Sequence, residues 1–346
     1  MTDVTQNLHS LDFECGLSEN EKQLLFLRAR SNGLTLSACA HAAFFCKLLS
    51  SSRRRLLKEN VTLRSKTSDL KVLSEDQILK VGILGGGHIG KQLALVLMEN
   101  TGLKPSNINI SSRRPETLDD FQKMGIGCFY DNQRLAAWSD VLFLCCLPTH
   151  LSQVCADIHS KLRQDCIVYS LVTAVPLNRL KQLLSHSSVL KPEYGFVGSD
   201  SVSIWATTGH VTAALKDPKV ISAACPLGMS GGLSIDIRWV VAVLYSLLNM
   251  CTTMNVDYKQ TINMMNELFL LKDTSAQQNK MENAMQFTVE NFVNASFAST
   301  LSSDEPLPWI SLTDTQLKET PLSKILAENL VLRERLSATF CSVLGV

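Results

Sequence analysis

The 346-residue sequence predicts an α/β fold: a mostly parallel sheet in mid-chain, an N-terminal helical extension before it and a C-terminal helical domain after it. Three observations carry this. From Ile78 onward, short apolar runs alternate with helical patterns of about ten residues, the rhythm of βαβ units. One joint in that series, "VGILGGGHIG", crowds Gly85, Gly86, Gly87 and Gly90 together. After about residue 226 the alternation stops and long segments rich in Leu and Met take over. The expected divisions are 1–75, 76–225 and 226–346.

The first division reads as helical. In "SENEKQLLFLRARSNG", Ser18 stands as an N-cap and Gly33 as a stop, with apolar residues at helical spacing. "LTLSACAHAAFFCKLLSSSRRRLLKEN" continues in the same style, and Arg53 to Arg55 are expected as a solvated helix end. "RSKTSDLK" is a polar linker. The strands expected next are "VGIL", "INI", "GCFY", "VLFLCCL", "CIVYSLV" and "VSIWAT"; between them lie "KQLALVLMEN", "PETLDDFQKM", "HLSQVCADIHSKL" and "LNRLKQLL" as helices. Pro115 suits a first helical turn and Gly125 a stop. Beyond residue 226, "RWVVAVLYSLLNMCTTMNVDYKQTINMMNELFLLK", "NKMENAMQFTVENFVNASF" and "PLSKILAENLVLRERLSATF" read as helices, with "STLSSDEPLPWISLTDT" a loop.

Composition excludes several function classes. Apolar residues make up 45% and charged residues 19%, enough for a sizeable core. A net charge of +1 gives no field toward nucleic acid or an anionic membrane, so neither is an expected partner. The 11 cysteines include no CxxC pair and are expected as buried thiols without metal. "MTDVTQNLHSLDFECG" has neither a basic start with an apolar core nor an Arg-rich character, so a cytoplasmic protein is expected; the triplets at Asn60, Asn109 and Asn294 are then chance glycosylation matches. The most membrane-like stretch, "WVVAVLYSLLNMCTTMNV", is broken by Ser246, Asn249, Thr252, Thr253 and Asn255 and is expected as a buried helix.

Gly85, Gly87 and Gly90 complete G-x-G-x-x-G between a strand and a helix, the dinucleotide-binding turn of a Rossmann-type sheet. The first glycine permits the tight turn, the second a close approach to pyrophosphate, and the third helix–strand packing; free N–H groups at the helix start then bind the anion. Where an NAD site carries an acid about 20 residues later, this chain has "SSRRPE". Arg113 and Arg114 would pair with a ribose 2′-phosphate that a carboxylate would repel, so the expected cofactor is NADP(H).

The run from Lys80 to His210, through "VGILGGGHIG", "INISSRRPETLDDFQKMGIGCFYDNQRLAAWSDVLFLCCLP", "IVYSLVTAVPLNRLKQLL" and "SIWATTGH", resembles the cofactor domain of pyrroline-5-carboxylate reductases, which reduce a cyclic imine to proline. The resemblance implies that Leu84 to Ile89, with Gly86 and His88 inside, hold the pyrophosphate. It implies that Ser111 or Ser112 reaches the adenosine ribose phosphate and that Asn132 contacts cofactor. Cys145, Cys146, Leu147 and Pro148, with Leu171, Val172 and Thr173, would lie beside the nicotinamide half. The chain also departs from the family. Leu147 replaces a lysine, Val172-Thr173-Ala174 replaces Ala-Ala-Gly, and "VLKPEYGFVGSD" lacks the Asn-Thr-Pro stretch. "CPLGMSGG" only faintly echoes the helix start that receives the substrate carboxylate, and no imine-facing threonine carries over.

The implied chemistry is hydride transfer from NADPH to a C=N or C=O carbon, which needs a donor for the developing nitrogen or oxygen. Tyr194, His210, Ser230 and Asp236 are weak candidates, each with an ordinary structural role as the competing reading, and the catalytic residue stays open. A reading from a different class is an NADPH-binding module without catalysis, whose helical parts engage a protein. The apolar helices from Trp239 to Leu271 further suggest a homodimer through the C-terminal region.

Overall fold

The computed structural model describes residues 16–64, 78–197, 202–206, 210–228, 230–269, 286–302 and 304–345, the side chains of 59–64 and of residue 202 excepted. Six strands form one parallel sheet: β1 (Val81–Leu84), β2 (Ile108–Ser111), β3 (Gly127–Phe129), β4 (Val141–Leu144), β5 (Ile167–Ser170) and β6 (Val189–Leu190), in the order β3-β2-β1-β4-β5-β6. β1, β4 and β5 are buried at every position, which is why they read as unbroken apolar runs rather than alternating ones. The register pairs Leu84 with Ser111 and with Leu144, and Leu144 with Ser170. The carboxyl ends of the four central strands therefore finish level, and the strand order reverses between β1 and β4. A separate antiparallel pair, β7 (Tyr194–Phe196) and β8 (Leu233–Ile235), was not legible in the sequence, nor was two-residue β6. "VSIWAT" is not a strand: Val202–Trp205 is a 3₁₀ turn, and the Trp205 indole is buried with its Nε1–H donating to Gly231 O at 2.6 Å.

The helices run α1 (Glu19–Lys22), α2 (Leu25–Arg64), α3 (His88–Thr101), α4 (Asp119–Lys123), α5 (Asn132–Trp138), α6 (Leu151–Ile158), α7 (Leu177–Leu184), α8 (Val211–Ala214), α9 (Pro218–Ala223), α10 (Ile237–Thr253), α11 (Tyr258–Phe269), α12 (Ala295–Ala298), α13 (Leu312–Leu317), α14 (Pro321–Glu328) and α15 (Leu330–Leu344). Ser18 caps as expected, in a reciprocal box with Glu21, and Pro115 opens a 3₁₀ turn before α4. Gly33 does not stop its helix. α2 passes straight through it, because Trp205 lies against that point: a Cβ at Gly33 would stand 2.8 Å from the indole ring. Residues 65–71 of the expected linker, and 270–272 and 279–285 of the expected helices, lie outside the described residues. Beyond residue 285 the chain makes a 3₁₀ turn at Val289–Asn291 and then the short α12.

α2 is no peripheral extension. Leu36, Cys39, Ala40, Ala42, Ala43, Phe45 and Leu48 are buried in one core with the sheet and the C-terminal helices. Phe45 packs at a tilt on Tyr169 of β5 at 5.6 Å and Phe44 on Phe340 of α15 at 5.0 Å between ring centroids. By length and composition Glu19–Lys58 is long and apolar enough to cross a membrane, but 83% of its apolar window is buried inside the molecule. α10 buries twelve of its seventeen residues, packed on α2, α13 and α14. The apolar surface of α10 that the sequence offered as grounds for a homodimer is thus covered within the chain.

Candidate cofactor-binding site

The glycine turn sits at the reversal of strand order, where an open α/β sheet leaves a crevice at its carboxyl edge. Gly85 has φ +113, donates its N–H to Ser111 O at 2.9 Å, and a Cβ there would lie 2.8 Å from Cys145 O. Only glycine satisfies that conformation and that approach together. At Gly90 a Cβ would lie 2.0 Å from Gly85 O, so α3 can close on β1 only without a side chain. At Gly86 it would meet Leu118 Cδ1 at 2.9 Å and Ser112 Oγ at 3.1 Å; this missing side chain brings the loop after β2 against the turn. Gly87, the N-cap of α3, differs: a Cβ would meet nothing within 4 Å, and no side chain caps the helix. The amides of exposed His88, half-buried Ile89 and buried Gly90 thus begin a helix whose positive end faces open space, a cradle suited to an anion.

The loop after β2 divides the expected residues. Ser111 is 1% exposed, and its Oγ–H turns inward to Asn132 Oδ1 at 2.8 Å. With that hydroxyl buried and engaged with Asn132, Ser112 is the one of the two serines implied for the ribose phosphate that stands at the loop. Ser112 is half-buried at the loop, its Oγ accepting from Arg114 N at 3.3 Å. Arg113 and Arg114 are exposed, and among the described residues neither has an acid within ion-pair distance. Two guanidiniums at the start of a 3₁₀ turn, with no acid of the described chain beside them, favour an anion at that place.

Asn132 opens α5 beside Ser111, and its Nδ2–H donates to Asp157 Oδ2 on α6 at 3.1 Å. Nothing in the sequence had singled out Asp157. Across the reversal point, Cys145 N donates to Leu84 O at 2.8 Å and Leu171 N to Leu144 O at 3.0 Å, which prolongs the ladder into the segments expected at the nicotinamide end. Cys146 is half-buried, Pro148 and Thr173 are exposed, and burial pushes the Cys145 and Cys146 thiols up, with neighbouring cysteines adding to it at Cys145. Leu147 is 63% exposed, while Val172 is 3% exposed in the core with side chains of α6 and α7.

The four weak donor candidates have different surroundings. Tyr194 is locked to His41, its O–H donating to Nδ1 at 2.9 Å, while His41 Nε2–H donates to Ala224 O at 2.8 Å. Burial drives the His41 pKa down to about 4 and raises that of Tyr194 well above its usual value, so this pair is a neutral internal strut. Asp236 caps α10 by accepting from Arg238 N at 2.9 Å, and Ser230 Oγ–H donates to Ser222 O at 3.3 Å. His210 is exposed at the start of α8.

A family model described as NADP oxidoreductase coenzyme F420-dependent matches residues 80–174, from the start of β1 to the turn after β5. Pyrroline-5-carboxylate reductase 3 of Danio rerio is 26% identical over 106 residues, 31% of this chain and 37% of that protein. A solved pyrroline-5-carboxylate reductase from Coxiella burnetii aligns over 77% of this chain and 97% of its own, at 15% identity and a TM-score of 0.32. NADP-dependent oxidoreductase domain-containing protein 1 of Mus musculus is similar from end to end: 39% identical over 345 residues, 99% of this chain and 94% of that protein. Likeness sustained over that span, with the dinucleotide turn intact, means that the chain belongs to the family of NADP-dependent oxidoreductase domain-containing protein 1.

Proposed function

We propose that the chain binds NADP(H) along the carboxyl edge of its sheet and passes a hydride to a C=N or C=O substrate. The observation that carries the reading is the β1–α3 turn, where Gly85 requires its φ, Gly90 has no room for a side chain and Gly87 faces open space before an uncapped helix. Leu84 to Ile89 would hold the pyrophosphate through backbone N–H groups. Ser112, Arg113 and Arg114 would take the 2′-phosphate, and Cys145 to Pro148 with Leu171 to Thr173 would flank the nicotinamide. When bound, the cofactor supplies the hydride; the chain's own residues orient it and neutralise its phosphates.

A second reading, an NADP(H)-binding module without turnover, draws on the donor candidates: Tyr194 is bonded to buried His41, and Ser230 and Asp236 each bond to local backbone. One experiment tests both. NADPH and NADH are titrated by nicotinamide fluorescence against the protein and an Arg113→Ala/Arg114→Ala variant. Bonds to charged groups contribute about 1.5–3 kcal/mol each, less where solvent screens them, and about 1.4 kcal/mol is tenfold, so loss of both exposed arginines should weaken NADPH about tenfold while NADH is nearly unchanged. Equal loss for both refutes the 2′-phosphate assignment. NADPH absorbance is then followed with a panel of cyclic imines and ketones; turnover on any member supports the oxidoreductase, and tight binding without turnover supports the module. Pyrroline-5-carboxylate itself should be a poor member, because the family's carboxylate-receiving helix start and imine-facing threonine have no counterparts here.

A further inference from the structure

We infer that Asp157 decides which way the Asn132 amide faces, and is thereby a positioning residue for the dinucleotide. The inference rests on the reading of this edge as an NADP(H) site. A continuous chain of hydrogen bonds links three elements there. Asp131 N–H donates to Ser111 Oγ at 3.3 Å, Ser111 Oγ–H to Asn132 Oδ1 at 2.8 Å, and Asn132 Nδ2–H to Asp157 Oδ2 at 3.1 Å.

The direction of this chain has one source. A serine hydroxyl both donates and accepts, so Ser111 alone would tolerate either orientation of the amide. An ionised carboxylate only accepts, so Asp157 admits only the Nδ2–H side. With Asp157 in place, Oδ1 is turned toward β2, and the second Nδ2–H is the donor left over for a cofactor oxygen. A flipped amide would instead aim its oxygen at an anionic ligand.

Asp157 is not explained by packing. The apolar face of α6 is Leu151, Val154, Cys155 and Ile158, and Asp157 stands outside it, half-buried. A carboxylate near a polyanion's seat is also electrostatically adverse. That gives the test a sign: if Asp157 were merely a nearby charge, its removal would tighten cofactor binding, whereas a positioning residue's removal loosens it.

The experiment uses the full chain and the near-isosteric Asp157→Asn, whose side chain can donate or accept and so no longer discriminates. NADPH affinity is measured for the unsubstituted protein, Asp157→Asn, Asn132→Ala and the double variant, with melting curves to check folding. Asp157→Asn should weaken NADPH about fivefold, the size of one hydrogen bond, and should have less than about a twofold effect when Asn132 is already alanine. In parallel, the cofactor-free protein is examined by NMR. One Asn132 side-chain amide proton, assigned by its loss in Asn132→Ala, should be shifted and slow to exchange, and should lose both properties in Asp157→Asn. Unchanged or tighter NADPH binding in Asp157→Asn, an equal loss in the Asn132→Ala background, or an unprotected amide in the unsubstituted protein overturns the inference. If the unsubstituted protein binds no NADPH, the cofactor reading falls instead, and the amide spectrum still decides whether Asp157 holds Asn132.

Discussion

At the carboxyl end of β5, Ala174 holds φ +60, the left-handed conformation that glycine adopts without penalty and alanine does not. Ala174 and Thr173 before it are exposed, so the strain is held by the turn itself and not by packing around the methyl group. The strain is about 1–2 kcal/mol, and glycine's looser unfolded chain gives back part of the relief. Ala174→Gly should therefore stabilise by about 0.5–1 kcal/mol, read from the denaturant midpoint; an unchanged or lowered midpoint would mean the turn is relaxed in solution. His41 makes a second prediction at this scale. Its folded pKa of about 4 lies below the ordinary 6.5 because burial penalises the imidazolium. Between those values the unfolded chain binds a proton that the folded one refuses, so the contribution is complete above about pH 6.5 and falls as pH drops toward 4. At full extent this is about 3 kcal/mol. Half-buried His186 is lowered for the same reason and acts in the same direction, so the diagnostic is a difference: His41→Gln should lose less stability between pH 7 and pH 4.5 than the unsubstituted protein. Parallel losses would remove His41 as the cause.

Among the elements, the glycine turn was legible in the sequence because its constraint is local: the strand, the turn and the helix it joins are contiguous in the chain. The serines were half legible. The sequence marked the end of β2 but not the pairing with Asn132 that holds the Ser111 hydroxyl inward and leaves Ser112 at the loop. α2 was read correctly as helix, but the stop expected at Gly33 failed for a non-local reason. A helix buried on most sides has no polar stripe to mark its facing, and Gly33 looks like a stop when Trp205, far along the chain, is not in view. Two effects oppose each other at Gly33. In an exposed helix, glycine to alanine gains about 1 kcal/mol. Here the new methyl would press on an indole that cannot retreat, since Nε1 is bonded to Gly231 O and Asn32 Nδ2–H holds the Trp205 carbonyl at 2.8 Å. Overpacking costs about 1–3 kcal/mol, so Gly33→Ala should be net destabilising by thermal melting, and Gly33→Leu more so. A stabilised alanine variant would show that the helix and the 3₁₀ turn separate easily.

Across the whole molecule, residues 1–75 carry no cofactor motif and would read as separable from the sheet. The core says otherwise for α2. Its side chains fill the space between α3, the sheet and the C-terminal α10 and α15, so the element that carries no chemistry joins the two regions that would. Phe45 is the sharpest probe of this. It is fully buried, its ring packs at a tilt on Tyr169, and Tyr169 in turn packs on Phe143 of β4 at 4.9 Å and accepts from Trp239 Nε1–H of α10 at 3.1 Å. Truncating a buried phenylalanine costs about 3–5 kcal/mol through lost transfer energy and the cavity left behind. If α2 were an independent appendage, Phe45→Ala would melt the N-terminal helix alone, and the temperature at which the sheet releases bound nucleotide would not move. With one shared core, the loss is carried by the whole cooperative unit. The expected result is a single transition at lower temperature, seen alike by far-ultraviolet circular dichroism and by nicotinamide fluorescence of bound NADPH, with the room-temperature affinity for NADPH little changed while the variant stays folded. Two separated transitions, with the nucleotide signal unshifted, would restore the view of α2 as an appendage.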